Sequence, residues 1–273
     1  MTFGRRFTEK LAERGSFCAG IDPHGPLLEA WGLDDDVAGL ERFALAATEA
    51  VAPVCSMIKP QSAFYERFGS RGVAVLERVV EIGRQAGALV LLDVKRGDIG
   101  STSQAYADAY LDPASPLACD AVTVSPYLGF GSLTPFVETA RRHDAGLFVL
   151  VETSNKEGPE VQHARTDDGA GPTVAQRMTD HLRELNAGAE PLGSFGAVVG
   201  ATLASPAADL AFNGPLLAPG FGAQGGTPAD IRRIFGAQAA HVAPSSSREL
   251  LRRGPDPAAL REAALRANDE LRA

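Results

Sequence analysis

Two carboxylates and a lysine fall within six residues at the end of an apolar run. In ALVLLDVKRGDIG, Asp93, Lys95 and Asp98 follow the apolar residues 88–92. Side chains alternate along a strand, so Asp93 and Lys95 point the same way, while Asp98 lies beyond, where the chain turns toward the next helix. Alone, this spacing is also what a solvated strand end would show. Two other apolar runs end alike: GIDPH (20–24) in Asp22, and MIKPQ (57–61) in Lys59. Charges at the end of an apolar strand tolerate burial only when paired, and alternating lysine and aspartate supply the pairing. Gathered at one edge, such groups form a preorganised charged array, able to stabilise a charge that develops during a reaction.

A second constellation lies downstream in PGFGAQGGT, residues 219–227, with Pro219, Gly220, Gly222 and Gln224. Gly220, Gly222 and Gly225 match G-x-G-x-x-G, but a dinucleotide site wants an acid about 20 residues later. Position 245 is serine, the next acid is Glu249, and too little chain follows for a dinucleotide-binding unit. A phosphate site built from the loops after the seventh and eighth strands of a barrel fits better. Gly220 and Gly222 would let backbone N–H groups approach the anion. Arg248 would add a bidentate guanidinium, although by position alone it also reads as a surface arginine.

These residues need a scaffold. Eight short apolar runs recur: FCAGI (17–21), CSMIK (55–59), ALVLLDV (88–94), AVTVS (121–125), GLFVLVET (146–153), FGAVVGA (195–201), GPLLAP (214–219) and AAHVAP (239–244). Continuous rather than alternating apolar character suits parallel strands covered on both faces. Helical periodicity lies between them: Val37, Leu40, Phe43, Ala47 and Val51 follow the acidic run 34–36, and Val73, Leu76, Val80 and Gly83 repeat it. Thr227-Pro228 and Asp256-Pro257 look like helix starts with proline at the first position. Eight strand–helix units predict a (β/α)8 TIM barrel, one domain over residues 1–273, with a doubly wound open sheet as the alternative. The polar stretch 154–171 follows the fifth strand and is long enough for an active-site lid.

Composition narrows the function classes. The chain has 273 residues, 45% of them hydrophobic, and a formal net charge of −8. There is no basic stripe for nucleic acid. No apolar run reaches the ~18 residues of a membrane span, and the charged N-terminus lacks a signal peptide's apolar stretch, so a cytoplasmic protein is expected. Cys18, Cys55 and Cys119 are odd in number and far apart, as core thiols would be, and the five histidines lack metal-site spacing.

In order, GIDPH, MIKPQSAFYERFG, DVKRGDIGSTSQAY, VSPYLGFGS, VETSNKEG, VVGAT and PGFGAQGGT resemble the orotidine 5′-phosphate decarboxylases. The K-R-G-D-I-G form resembles their longer bacterial branch, type 2. D-x-K-x-x-D is shared with phosphosugar decarboxylases and synthases; the ordered set is more specific. The resemblance implies a barrel acting as a homodimer, with active sites at the subunit interface. It implies that Lys59, Asp93 and Lys95 belong to one subunit, while Asp98, Ile99 and Thr102 reach into the neighbour's site. It assigns Asp22 and Lys59 to the ribose hydroxyls, Ser154 to the pyrimidine edge, and Gln224 and Arg248 to the phosphate. The family often has glycine before that arginine; here Ser247 stands there. The implied reaction converts orotidine 5′-phosphate to uridine 5′-phosphate and CO2, the last step of de novo UMP synthesis. It uses no metal or cofactor: Lys95 faces C6, stabilises the carbanion and protonates it. Asp93 sits near the departing carboxylate, flanked by Lys59 and Asp98. A phosphosugar decarboxylase or aldolase, and a catalytically silent nucleotide-binding barrel, are the competing readings. The serine run 245–247 and His24 receive no role.

Overall fold

The computed structural model describes residues 1–222 and 224–272. Eight parallel strands close in sequential order: β1 (Cys18–Ile21), β2 (Met57–Pro60), β3 (Leu89–Arg96), β4 (Ala121–Val124), β5 (Gly146–Glu152), β6 (Phe195–Val199), β7 (Leu216–Pro219) and β8 (Val242–Ser246). Cys18 pairs with Ser245 and Ala19 with Ser246, so the last strand returns to the first and the open-sheet alternative falls. Every strand overlaps its predicted run. Three of them outlast it, β2 by a single residue at Pro60. β3 continues through Lys95 to Arg96, and β8 starts only at Val242 but runs on into the first two serines of the 245–247 run.

The continuous apolar runs are explained by two cores. Alternate strand residues, among them Cys18, Met57, Leu89, Leu91, Phe148, Val198, Leu217 and Ala243, fill the barrel interior. Their neighbours, such as Ala19, Ile58, Val90, Leu92 and Val149, pack outward against the helices. The N-terminal segment, amphipathic in sequence, is the helix Phe3–Arg14, which stoppers the end of the barrel where the strands begin. Phe3 and Phe7 are fully buried with ring centroids 6.0 and 6.5 Å from that of Phe148. Full burial of each such ring is worth about 1.5–3 kcal/mol. With that end plugged, the space left for a ligand lies at the opposite mouth, where the strands end.

Helix starts follow the local chemistry. The Asp36 carboxylate accepts the Gly39 N–H at 2.8 Å and begins the helix Val37–Val51. Thr227 and Asp230 form a reciprocal capping box at Pro228–Phe235, the loop-to-helix junction behind the glycine-rich segment. Asp256 accepts the Ala258 N–H at 3.0 Å at the start of Pro257–Arg272. The stretch 154–171 is more ordered than a polar lid loop. It holds the short helix Gly158–Gln162, whose Gln162 amide exchanges hydrogen bonds with Thr153 at 3.0 and 2.7 Å, and a bridge joins Arg165 to Thr173. The three cysteines are buried and unpaired, and burial pushes the Cys18 and Cys119 thiols up to about 12. Among the described residues no helix is long and apolar enough to cross a membrane.

Candidate active site

A cavity of about 450 Å³ opens at the C-terminal mouth of the barrel. β1 delivers Asp22 to it, β2 delivers Lys59, and β3 delivers Asp93 and Lys95. Lys59 Nζ donates to Asp93 Oδ2 at 3.0 Å, and Lys95 Nζ donates to Asp93 Oδ1 at 2.6 Å. One carboxylate thus holds two ammonium groups. Asp93 and Lys59 are only 8% and 5% exposed, whereas the Lys95 side chain is 45% exposed and presents its charge to the cavity. Burial alone would raise the Asp93 carboxyl, but the Lys59 and Lys95 ammoniums override it and hold it well below the usual carboxylate range. Burial works against the Lys59 ammonium, and the Asp93 and Asp22 carboxylates outweigh it, raising the lysine above its ordinary value. The buried Asp93–Lys59 pair is therefore charged at neutral pH.

The alternation rule put Asp93 and Lys95 on the correct face by an incomplete argument, because the backbone between them is not a regular strand. The β3–β4 register breaks between Leu92 and Arg96, and Lys95 is left-handed at φ 47°. Such a conformation in a non-glycine residue costs roughly 1–3 kcal/mol and is held by its surroundings. Bulges of this kind re-aim side chains next to active sites.

Ser154, Pro219, Gly220, Gln224 and Arg248 line the same cavity. Gly220 has φ 102°, a conformation that favours glycine. The serine run, without a role in the sequence, lines the wall beside Arg248: Ser245, Ser246 and Ser247 all border the cavity, because β8 extends into them. Ser246 Oγ, Ser247 Oγ and Asp22 Oδ1 are buried and have no hydrogen-bond partner among the described residues. Unsatisfied buried polar atoms are costly, and here they ring a space of ligand size. His24 also borders it, packed on Phe64 with centroids 4.1 Å apart, and burial lowers its imidazole below the ordinary value.

Four expected residues lie elsewhere. Gly222 faces away from this cavity. The Glu249 carboxylate occupies the place a side chain at Gly222 would take, and the glycine borders a separate space of about 380 Å³ behind the loop. Asp98, Ile99 and Thr102 also lie outside the cavity of their own chain. Past Arg96 the chain leaves the barrel, and Asp98 Oδ1 accepts the Ile99 N–H at 2.8 Å. Ile99 is 62% exposed, as are Tyr127 (77%) and Leu128 (53%) on the loop after β4, which is tied to β3 by the Ser125 N–H to Arg96 carbonyl bond. Conversely, Gln61, Phe64, Thr153 and Thr123 line the cavity without having been singled out. Thr123 had one available signal: it is the polar residue within the apolar run AVTV.

The Asp93 carboxyl is held below its unfolded value near 3.9, so its contribution to stability is complete above that pH and is lost as pH falls toward the folded value. Asp93→Asn should therefore lower the unfolding free energy by about 3–5 kcal/mol, the cost of breaking a buried pair. In urea unfolding, the difference from wild type should be constant between about pH 5 and 9 and shrink below about pH 4. A difference under about 1 kcal/mol at pH 7 would remove the pair from its structural role.

Comparison with known proteins agrees with this geometry. The family model described as orotidine 5′-phosphate decarboxylase / HUMPS family matches residues 16–263. An orotidine 5′-phosphate decarboxylase of a Nocardioides species is 72% identical over 271 residues, covering 99% of this chain and 98% of that protein. The Streptomyces coelicolor orotidine 5′-phosphate decarboxylase is 60% identical, covering 99% and 97%. A solved Streptomyces avermitilis structure superposes with a TM-score of 0.95 at 59% identity, covering 99% of this chain and 95% of its own. The Leishmania donovani OMP decarboxylase structure gives 0.75 at 31% identity, with both chains fully covered. A closed barrel with a lysine–aspartate–lysine cluster at its mouth, matched by these relatives along nearly its whole length, places the chain in the orotidine 5′-phosphate decarboxylase / HUMPS family.

Proposed function

We propose that this chain decarboxylates orotidine 5′-phosphate to uridine 5′-phosphate and CO2, the last step of de novo UMP synthesis. The observation that carries the reading is the half-exposed Lys95 ammonium, held on the Asp93 carboxylate 2.6 Å away, in a cavity that also contains Arg248 and Gln224. In the reaction the bond from C6 to the carboxylate carbon breaks and its electron pair stays on C6. CO2 departs neutral, and a proton passes from Lys95 Nζ to C6. Lys95 then recovers a proton from solvent, to which its side chain is open. Electrons and protons balance without a cofactor.

The carbanion formed at C6 has its pair in the plane of the ring, so conjugation relieves it little. Stabilisation comes from charge that is already in place. A single preorganised donor of this type is worth about 2.7–4 kcal/mol. Asp93 stands by the departing carboxylate and, with Lys59, keeps the Lys95 ammonium in position. Asp22 accepts from ribose hydroxyls through its unpartnered Oδ1, alongside Lys59. Ser154 reads the pyrimidine edge. Gln224 and Arg248 bind the phosphate against Pro219 and Gly220, and the free hydroxyls of Ser246 and Ser247 donate to the same anion. Phosphate binding, remote from C6, holds the substrate against the preformed charged end, so its energy contributes to the rate.

The protein works as a homodimer, one domain per chain, in the cytoplasm. The exposed apolar Ile99, Tyr127 and Leu128 suit a subunit contact. Across that contact Asp98 and Thr102 would complete the partner's site, which accounts for their position outside their own.

Arg248→Ala and Gln224→Ala should each reduce kcat/KM on orotidine 5′-phosphate about 10- to 100-fold, the worth of a hydrogen bond to a charged group, and change turnover of phosphate-free orotidine little. Equal losses on both substrates would remove these residues from the phosphate. Lys95→Ala and Asp98→Ala dimers, each inactive, should regain about a quarter of wild-type activity after random subunit exchange, because half the dimers are hybrids with one intact site. No recovery, with exchange demonstrated by labelled subunits, would contradict shared sites.

A further inference from the structure

We propose that Thr123 is a positioning residue, fixing the Lys95–Asp93 geometry through the bulge between β3 and β4; the inference rests on the decarboxylase reading and deepens it. Leu92 pairs with Val122 and Arg96 with Val124, so residues 93–95 of β3 face the single residue Thr123 of β4. Thr123 is 1% exposed. Its Oγ accepts the N–H of Val94 at 3.0 Å and the N–H of Lys95 at 2.9 Å. A hydroxyl has two lone pairs and one proton. Both lone pairs are committed to N–H donors, which leaves the proton one acceptor, Asp93 Oδ1 at 2.9 Å. That oxygen also receives Lys95 Nζ at 2.6 Å.

One atom therefore ties the left-handed backbone of Lys95 to the carboxylate on which the Lys95 ammonium rests. Thr123 borders the cavity, yet its hydrogen-bonding capacity is spent within the protein and none remains for substrate. Its effect on the reaction passes through Lys95 and Asp93. Valine has nearly the same shape and would forfeit all three bonds; serine would retain them.

The test compares wild type, Thr123→Val and Thr123→Ser for kcat and KM on orotidine 5′-phosphate, with calorimetric UMP binding. Misplacing a reacting group by about 1 Å can cost 100-fold, so Thr123→Val should lose at least about tenfold in kcat. Its KM and its UMP Kd should stay within about threefold of wild type, and Thr123→Ser should keep kcat within about threefold, since phosphate and ribose contacts are untouched. If Thr123→Val does not fold, Thr123→Cys takes its place under the same criteria. Unchanged kcat in the folded variant, a loss that serine does not restore, or a parallel loss of UMP affinity would each overturn the proposal. Absence of turnover by folded wild type would instead overturn the decarboxylase reading itself.

Discussion

The site depends on one carboxylate. Asp93 is nearly buried at the top of β3 and neutralises Lys59, which is more deeply buried still, while holding Lys95 at the edge of the cavity. Two buried ionic groups, Asp93 and Lys59, are tolerable only because each has a partner of opposite sign at hydrogen-bond distance. The same compensation serves chemistry. An ammonium already held in place needs little reorganisation when negative charge appears beside it. The strain at Lys95 has the same origin, since a regular β3 would not require the left-handed turn that accompanies this contact.

The barrel supplies the rigidity this arrangement needs. Lys59, Asp93 and Lys95 stand on strands hydrogen-bonded to each other, with Gln61 bridged to Asp93, so their separations are set by the sheet. The phosphate end is built differently. Gly220 and Gln224 belong to the loop after β7, and Ser246, Ser247 and Arg248 lie where β8 passes into the helix Arg248–Leu251. A rigid reacting end and a loop-built gripping end let remote binding energy act on a charge array that is itself already formed. The phenylalanine stopper beneath the barrel leaves the strand-end mouth as the place where both ends meet.

Much of this was legible in the sequence because it follows from short-range rules. Unbroken apolar runs marked strands buried on both faces, and the ionisable residues closing the first three runs converged as expected. Proline and aspartate at helix starts behaved as local chemistry requires. What was illegible depended on pairing between segments. The bulge at Lys95 arises from the β3–β4 register, which β3 alone does not encode. The serines entered the cavity because β1 pairs with Ser245 and Ser246 and extends β8 past the proline at 244. Gly222 turned away because Glu249, distant in sequence, fills the space beside it. Asp98, Ile99 and Thr102 were assigned to the partner's site through resemblance, and one chain places them outside its own cavity. The stretch 154–171 looked irregular because its order comes from Gln162 and Thr153 meeting across a turn.

The most direct test of the central claim is the loss of orotidine 5′-phosphate ultraviolet absorbance, followed with EDTA present for wild type and Lys95→Ala. The account predicts sustained turnover by wild type and a loss of at least about 100-fold in the variant, because Lys95 supplies both the stabilising charge and the proton. Comparable turnover by a folded Lys95→Ala protein, or dependence of the wild type on an added metal, would contradict it.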